Sequence, residues 1–387
     1  MTTAAARISA RGADRWAAGH PWIFRSDVLG HPDAPGICRV LDRRGKCLGT
    51  ALVSPRSEIR LRFLTAGEPR IGRGWWRQRF AECLAAREGI DANAWRLVHG
   101  EGDGLPSLVV DRYDRWLVVQ LLSAGLETAR ADVLDALEDL LAPAGILLRN
   151  DVPVRRHEGL PLEVVVARGM VPDQLEVHEG PVRYLVAPRT GQKTGAFLDQ
   201  RENRLLAGAL MPSGGTALDC FAYHGSFALH LAGRAAQVVA LDSSADALAR
   251  ARDNAALNRL GNIEWVEADA FAQLRRYERE RRRFQFIVVD PPAFAKNRSS
   301  VTQALRGYKE INLRAMRLLE PGGLLLTASC SFHLDRARFL AMLADAAADS
   351  GRRLTLLHLL GQGRDHPELL TVPETGYLKG ALLACRQ

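Results

Sequence analysis

Apolar residues recur along this chain in two rhythms. Up to about residue 74 they come in short bursts broken by Gly, Pro and Asp, as in GHPWIF, PGICRVLD, GKCLGTALVSP and EIRLRFLT. That spacing predicts the short strands of a small β-barrel or sandwich. The stretch GWWRQRFAECLAAREG has helical spacing and forms a join. From about 95 to 187, the runs RLVHG, SLVVDRY, WLVVQLL, ILLRND and EVVVAR surround one helical stretch, ETARADVLDALEDLLA, which predicts an α+β unit. From about 189 onward strands alternate with helices, the pattern of a parallel sheet with crossover helices. The expected organisation is therefore a β-rich segment over 1–74, a central α/β segment over 75–188 and a doubly wound segment over 189–387.

Candidate chemistry gathers at the strand ends of the third segment. Its first strand, TALDCF, carries Asp219 and leads through AYHGSFALHLAG, a turn with the single glycine Gly225, into a helix. One glycine in place of GxGxxG argues against a dinucleotide pyrophosphate and for a smaller ligand. The second strand, QVVALD, ends in Asp242, where a carboxylate can accept from both ribose hydroxyls; the third, IEWVEAD, ends in Asp269, placed to meet an adenine amino group. Acids at such positions also cap helices. Two in succession after a glycine turn point to an adenosine-bearing ligand without phosphate, which S-adenosylmethionine satisfies. The fourth strand, FQFIVVDPPAFAKN, presents Asp290 and then stiffens its turn with Pro291 and Pro292. It is expected to border the first strand, at the switch point of the sheet.

Composition narrows the partner. The 387 residues carry a net charge of +8, which favours a polyanion. Of 52 basic residues only five are lysine, at 46, 193, 296, 309 and 379, and four of these stand in GQKTG, FAKN, GYKE and YLKG. A compact ammonium suits places where a guanidinium does not fit. The basic run RRYERERRRF, 275–284, is interleaved with Glu and reads as a solvated helix end as readily as an RNA patch. Six cysteines, at 38, 47, 83, 220, 330 and 385, show no CxxC pairing, so free thiols are expected and no metal site. With no apolar run of membrane length and no secretion core in MTTAAARISARG, the expected location is the cytoplasm.

These motifs resemble an ordered set. GHPWIF (19–24), EGDGLP (101–106), GQKTGAFLDQRENR (191–204), LDCFAYHGSFALHLA (218–232), DPPAFAK (290–296), RGYKEIN (306–312), TASCS (327–331) and YLKG (377–380) together resemble the bacterial large-subunit ribosomal RNA cytosine-5 methyltransferases that carry an N-terminal PUA domain. The resemblance implies a PUA domain over 1–74, a central domain over 75–188 and a class I S-adenosylmethionine-dependent methyltransferase domain over 189–387. It implies cofactor contacts at Asp219, Phe221, Tyr223, Gly225, Asp242, Asp269 and Asp290. Substrate contacts are implied at Lys193, Asp199, Gln200, Arg201, Pro291 and Pro292. The implied partner is 23S ribosomal RNA, naked or in a precursor particle, with a homodimer among the oligomeric options. His224 and Ser226 depart from the residues that relatives commonly carry there.

The same resemblance accounts for the cysteine in GLLLTASCSFHL. C5 of cytosine attacks a methylsulfonium only after a thiolate has added to C6, and Cys330 at a strand end is the expected thiolate, with Asp290 on the neighbouring strand holding N3. His333 receives no role. Methylation of a base nitrogen such as guanine N7, a noncatalytic RNA-binding assembly factor that retains the cofactor, and a small-molecule methyltransferase are the competing readings.

Overall fold

The protein is described as a computed structural model covering residues 4–294 and 300–386; Ala295 and Lys296 of the DPPAFAK motif lie outside the described residues. The chain divides into two compact units, the first comprising 1–177, 186–198 and 364–375, the second 178–185, 199–363 and 376–387. Both the 1–74 and the 75–177 segments fall in the first unit, to which the chain returns twice from later in the sequence.

The first unit holds two sheets. Six short strands between Ala5 and Thr65 form one, antiparallel except where Ala5–Ile8 runs parallel to Gly36–Leu41. Its core of Ile8, Ile23, Val40, Ala51, Leu61 and Phe63 comes from the alternating inward residues of these bursts. The second sheet has five strands, Ala94–His99, Leu108–Tyr113, Trp116–Leu121, Gly145–Arg149 and Val164–Gly169, which are the five runs read from the sequence. Helix Arg130–Leu141 is the crossover between the third and fourth of these, which are parallel, and buries Val133, Leu134 and Leu137.

In the second unit seven strands form one sheet: β1 Thr216–Cys220, β2 Gln237–Asp242, β3 Ile263–Glu267, β4 Phe284–Val289, β5 Leu319–Ser329, β6 Leu354–Leu360 and β7 Lys379–Cys385. Their order across the sheet is 3-2-1-4-5-7-6, with only β7 antiparallel to its neighbours. The helices are α1 Arg201–Leu210, α2 Ser226–Ala232, α3 Ala245–Leu257, α4 Ala270–Arg279, α5 Val301–Leu318 and α6 Arg336–Ser350. Period-two alternation sends Leu218, Cys220, Ile287 and Val289 into a core against α4, α5 and α6, while Ala217, Phe286 and Val288 enter a second core against α1 and α2. Strands buried on both faces read as continuous apolar runs, which is why β4 is FQFIVV.

The basic run 275–284 is a paired helix end. Arg275 meets Glu310, Arg276 meets Glu280, Glu278 accepts from Arg314 and Arg317, and Arg282 lies 3.7 Å from Glu264. No helix among the described residues is long and apolar enough to cross a membrane.

Candidate active site

The carboxyl ends of β1, β2 and β4 lie side by side on one edge of the second unit's sheet, where a doubly wound fold places its ligand. The turn after β1 takes an unusual course: Phe221, Tyr223 and Gly225 all have positive φ, at 65°, 50° and 84°. For Phe and Tyr this region costs energy, so the surroundings must impose it. They do so with hydrogen bonds. Ala222 N donates to Leu241 O (3.0 Å), Tyr223 N to Asp242 Oδ2 (2.9 Å) and Asn254 Nδ2 to His224 O (3.0 Å). Asp242 also accepts from Ser244 N through Oδ1 (2.9 Å), so this carboxylate shapes the turn with both oxygens and keeps a second lone pair on each for a ligand hydroxyl.

Asp219 is wholly buried. Its Oδ2 accepts from Ala228 N at 2.9 Å, and its Oδ1 has no donor among the described residues. Burial pushes this carboxyl well above the usual range, and the charges of Asp290 and Asp242 push the same way. Three acids that repel one another around an unsatisfied oxygen fit a ligand bearing a positive group, which the sulfonium and ammonium of S-adenosylmethionine supply. Asp269 is exposed and caps α4, its Oδ1 accepting from Ala272 N at 2.9 Å. Asp290 follows β4 half-buried, then Pro291 buried and Pro292 exposed.

Cys330 follows β5, the parallel neighbour of β4, whose Val289 pairs with Thr327. Its residue is half-buried, whereas Ser329 and Ser331 on either side are fully buried. Ser331 is held by several polar contacts. Its carbonyl accepts from Lys379 Nζ at 2.7 Å and from Leu334 N at 3.1 Å, and its hydroxyl lies 2.9 Å from that of Tyr308. Tyr308 in turn accepts from Phe294 N at 3.4 Å and packs on the Phe294 ring at 4.6 Å. Tyr308 thus ties the DPPAF turn to the cysteine turn. Lys379, paired with Ser329 across β5 and β7, also donates to Tyr377 O at 2.7 Å, and Tyr377 OH donates to Asp199 Oδ2 at 2.6 Å.

Tyr308 and Tyr377 stand in RGYKEIN and YLKG with no sequence signal of their own, whereas Lys379 is marked as a lysine where the chain otherwise writes arginine. The four late lysines separate clearly. Lys379 is buried; Lys309 pairs with Asp349 at the surface (2.8 Å); Lys193 is exposed with its ammonium over the Phe197 ring; Lys296 lies outside the described residues. Lys193 belongs to the first unit, where neighbouring Thr194 donates to Asp111 Oδ2 (2.5 Å). Asp199, Gln200 and Arg201 belong to the second unit and are buried, Gln200 Oε1 accepting from Asn203 Nδ2 at 2.6 Å. Asp103 of EGDGLP serves the first unit, where it accepts both arms of Arg87 (2.7 and 2.6 Å).

Four of the other thiols are held above the ordinary thiol range. Burial pushes Cys38 and Cys83 up to about 12, and burial with the Asp219 charge raises Cys220 well above the ordinary thiol. Cys385 is buried in β7, and burial raises Cys47, which lies in the N-terminal sheet.

The family described as S-adenosylmethionine-dependent methyltransferase matches residues 95–384, and the PUA-like domain matches 6–66. Ribosomal RNA large subunit methyltransferase I of Enterobacter sp. (strain 638) is 39% identical over 381 residues, covering 95% of each chain. The protein of that name from Klebsiella pneumoniae (strain 342) is 40% identical over 381 residues, covering 95% of this chain and 94% of its own. Among solved structures, SMU.776 in complex with SAH superposes with a TM-score of 0.85 at 19% identity, over 98% of this chain and 99% of its own. The SAM dependent methyltransferase from Agrobacterium tumefaciens does so at 0.53 and 16% identity, over 76% and 90%. At such identities a structural likeness speaks for the fold. The curated relatives and the family match together go further: this chain belongs to the S-adenosylmethionine-dependent methyltransferase family, in the group that carries a PUA-like domain and includes the ribosomal RNA large subunit methyltransferase I proteins.

Proposed function

We propose that this chain transfers a methyl group to C5 of a cytidine in 23S ribosomal RNA, in the cytoplasm, through a transient bond between Cys330 and C6 of the ring. The observation that carries the reading is the setting of Cys330. Of the six cysteines it alone is half-buried at the carboxyl edge of the parallel sheet, on a turn held by Tyr308 and Lys379. The names of the curated relatives supply the class of substrate.

In this reading the thiolate of Cys330 adds to C6, and the electron pair of the C5–C6 bond becomes available at C5. Asp290 holds N3, delivering or retaining its proton as the sulfur adds. C5 takes the methyl group, loses its proton to a base such as a bound water, and the C6–sulfur bond breaks to restore the ring and the thiolate. S-adenosylmethionine, when bound, supplies the electrophilic methyl. Asp219 and the Phe221–Gly225 turn would hold its charged end, Asp242 its ribose and Asp269 its adenine. Pro291 and Pro292 keep Asp290 from swinging, and Lys193, Asp199, Gln200 and Arg201 contribute to substrate binding.

The test is transfer of labelled methyl to large-subunit ribosomal RNA isolated from cells lacking this protein. Wild-type protein is expected to label a cytidine that then resists bisulfite, and Cys330→Ala is expected to label nothing. Undiminished transfer by Cys330→Ala would move the acceptor to a base nitrogen and overturn the reading.

A further inference from the structure

We propose that Phe332 is the stacking platform for the RNA base next to the target cytidine, an inference that rests on the reading of Cys330 as the nucleophile. The chain has 12 Phe, 6 Tyr and 7 Trp, all among the described residues, and Phe332 is the one that is exposed. At 55% exposure it leaves much of an apolar ring in water, where every other Phe, Tyr and Trp of the protein is buried or half-buried. Its place in the chain gives that exposure a use.

Phe332 stands two residues after Cys330, a span of at most about 7 Å between Cα atoms. The residue between them, Ser331, is fixed by Lys379 Nζ on its carbonyl and Tyr308 on its hydroxyl, and Leu334 beyond is buried. The turn is therefore anchored on both sides of Phe332, and only this ring is left outside. His333 meets it edge to face, with ring centroids 5.4 Å apart and planes at 84°, which orients the ring. A cytosine whose C6 is attacked by a thiolate must leave its stack, and its neighbour then loses a stacking partner. The extruded cytidine stays joined to its neighbour through a single phosphodiester link, so a base bonded to Cys330 keeps the adjacent nucleotide close to the turn that carries Phe332. Phe332 replaces the lost partner with its own face, independent of base identity because every base has one. Phe332 is accordingly a substrate-positioning residue.

The experiment measures methyl transfer and RNA binding of the full chain with large-subunit ribosomal RNA from cells lacking the protein, for Phe332→Leu, Phe332→Ala and Phe332→Trp. Loss of a stacked base is expected to raise KM for RNA about tenfold to a hundredfold in the Leu and Ala variants. KM for S-adenosylmethionine and the melting temperature should stay at the wild-type values, and Trp should restore RNA binding. Leu equal to wild type would show that an apolar side chain suffices and would overturn the proposal, as would a parallel rise in the cofactor KM or a lowered melting temperature. Repeating the RNA titration in the Cys330→Ala background separates the two claims. Active Cys330→Ala protein defeats the nucleophile, whereas unchanged RNA affinity on Phe332→Leu defeats the platform.

Discussion

Lys379 directs two of its three ammonium hydrogens to main-chain carbonyls, Ser331 O and Tyr377 O, each at 2.7 Å. A guanidinium is planar and longer, so an arginine at this buried position would not bridge two carbonyls on adjacent turns in the same way. Removing the donor leaves Ser331 O with Leu334 N as its partner and takes the Lys379 contact from Tyr377 O, at about 1–3 kcal/mol for a buried group left unmade. Lys379→Met is therefore expected to lower the melting temperature and, by freeing the turn that carries Cys330, to reduce kcat by about a hundredfold. KM for S-adenosylmethionine should not move, because the two carbonyls that Lys379 holds belong to Ser331 and Tyr377 and not to the Phe221–Gly225 turn. Steady-state kinetics in which cofactor KM rises together with the fall in kcat would show a general loosening instead.

At the scale of elements, the connection from β1 to α2 packs three positive φ values into five residues. Gly225 caps α2 at φ +84°, and a Cβ there would meet the Trp265 ring at 3.0 Å and Ala251 Cβ at 3.1 Å. Gly225→Ala thus adds left-handed strain and a steric push together, of order 1–3 kcal/mol. The expected outcome is a cofactor KM raised about tenfold, the equivalent of about 1.4 kcal/mol, with KM for RNA unchanged. Isothermal titration with S-adenosylhomocysteine reads the same change without turnover, and unaltered affinity would show that the turn does not take part in holding the cofactor. The elements around it were visible in the sequence because the strands β1 to β4 are short, mainly apolar runs that end in or lead directly into Cys220, Asp242, Glu267 and Asp290. The strain was not, since FAYHGSFA offers one glycine where the backbone uses three positive φ values.

For the molecule as a whole, acid should be the weak side. Burial opposes the Glu179 charge, but Arg204 and His230 overcome it and hold the carboxyl well below its ordinary value. Glu179 accepts from Arg204 at 2.6 and 2.5 Å, from His230 Nε2 at 3.0 Å and from Tyr184 OH at 3.3 Å. Its contribution is present above the ordinary glutamate range and is lost as pH falls. His224, stacked on Tyr184, is pushed from 6.5 down to about 4 by burial and then by the Arg204 charge. The unfolded chain binds this proton first, so between those two values stability rises with pH, by about 3 kcal/mol across the window. Melting temperatures should fall steadily as pH is lowered from neutrality toward 4, and His224→Gln should flatten the upper part of that slope while leaving the Glu179 limb. A slope unchanged by His224→Gln would place the acid sensitivity elsewhere.

The sequence by itself determined the sheet, the carboxylates at its strand ends and the thiol after β5, because period-two burial and strand-end chemistry are local properties that a few neighbouring residues specify. Only the tertiary structure decided what surrounds that thiol. Lys379 reaches Ser331 from 48 positions away because β7 inserts antiparallel beside β5, and Tyr308 arrives on a helix from another crossover. Segment 364–375 joins the first unit although its neighbours on both sides belong to the second. The exposure of Phe332 likewise depends on what the fold leaves uncovered. Such juxtapositions follow from topology, which brings together residues whose spacing along the chain carries no periodic signal.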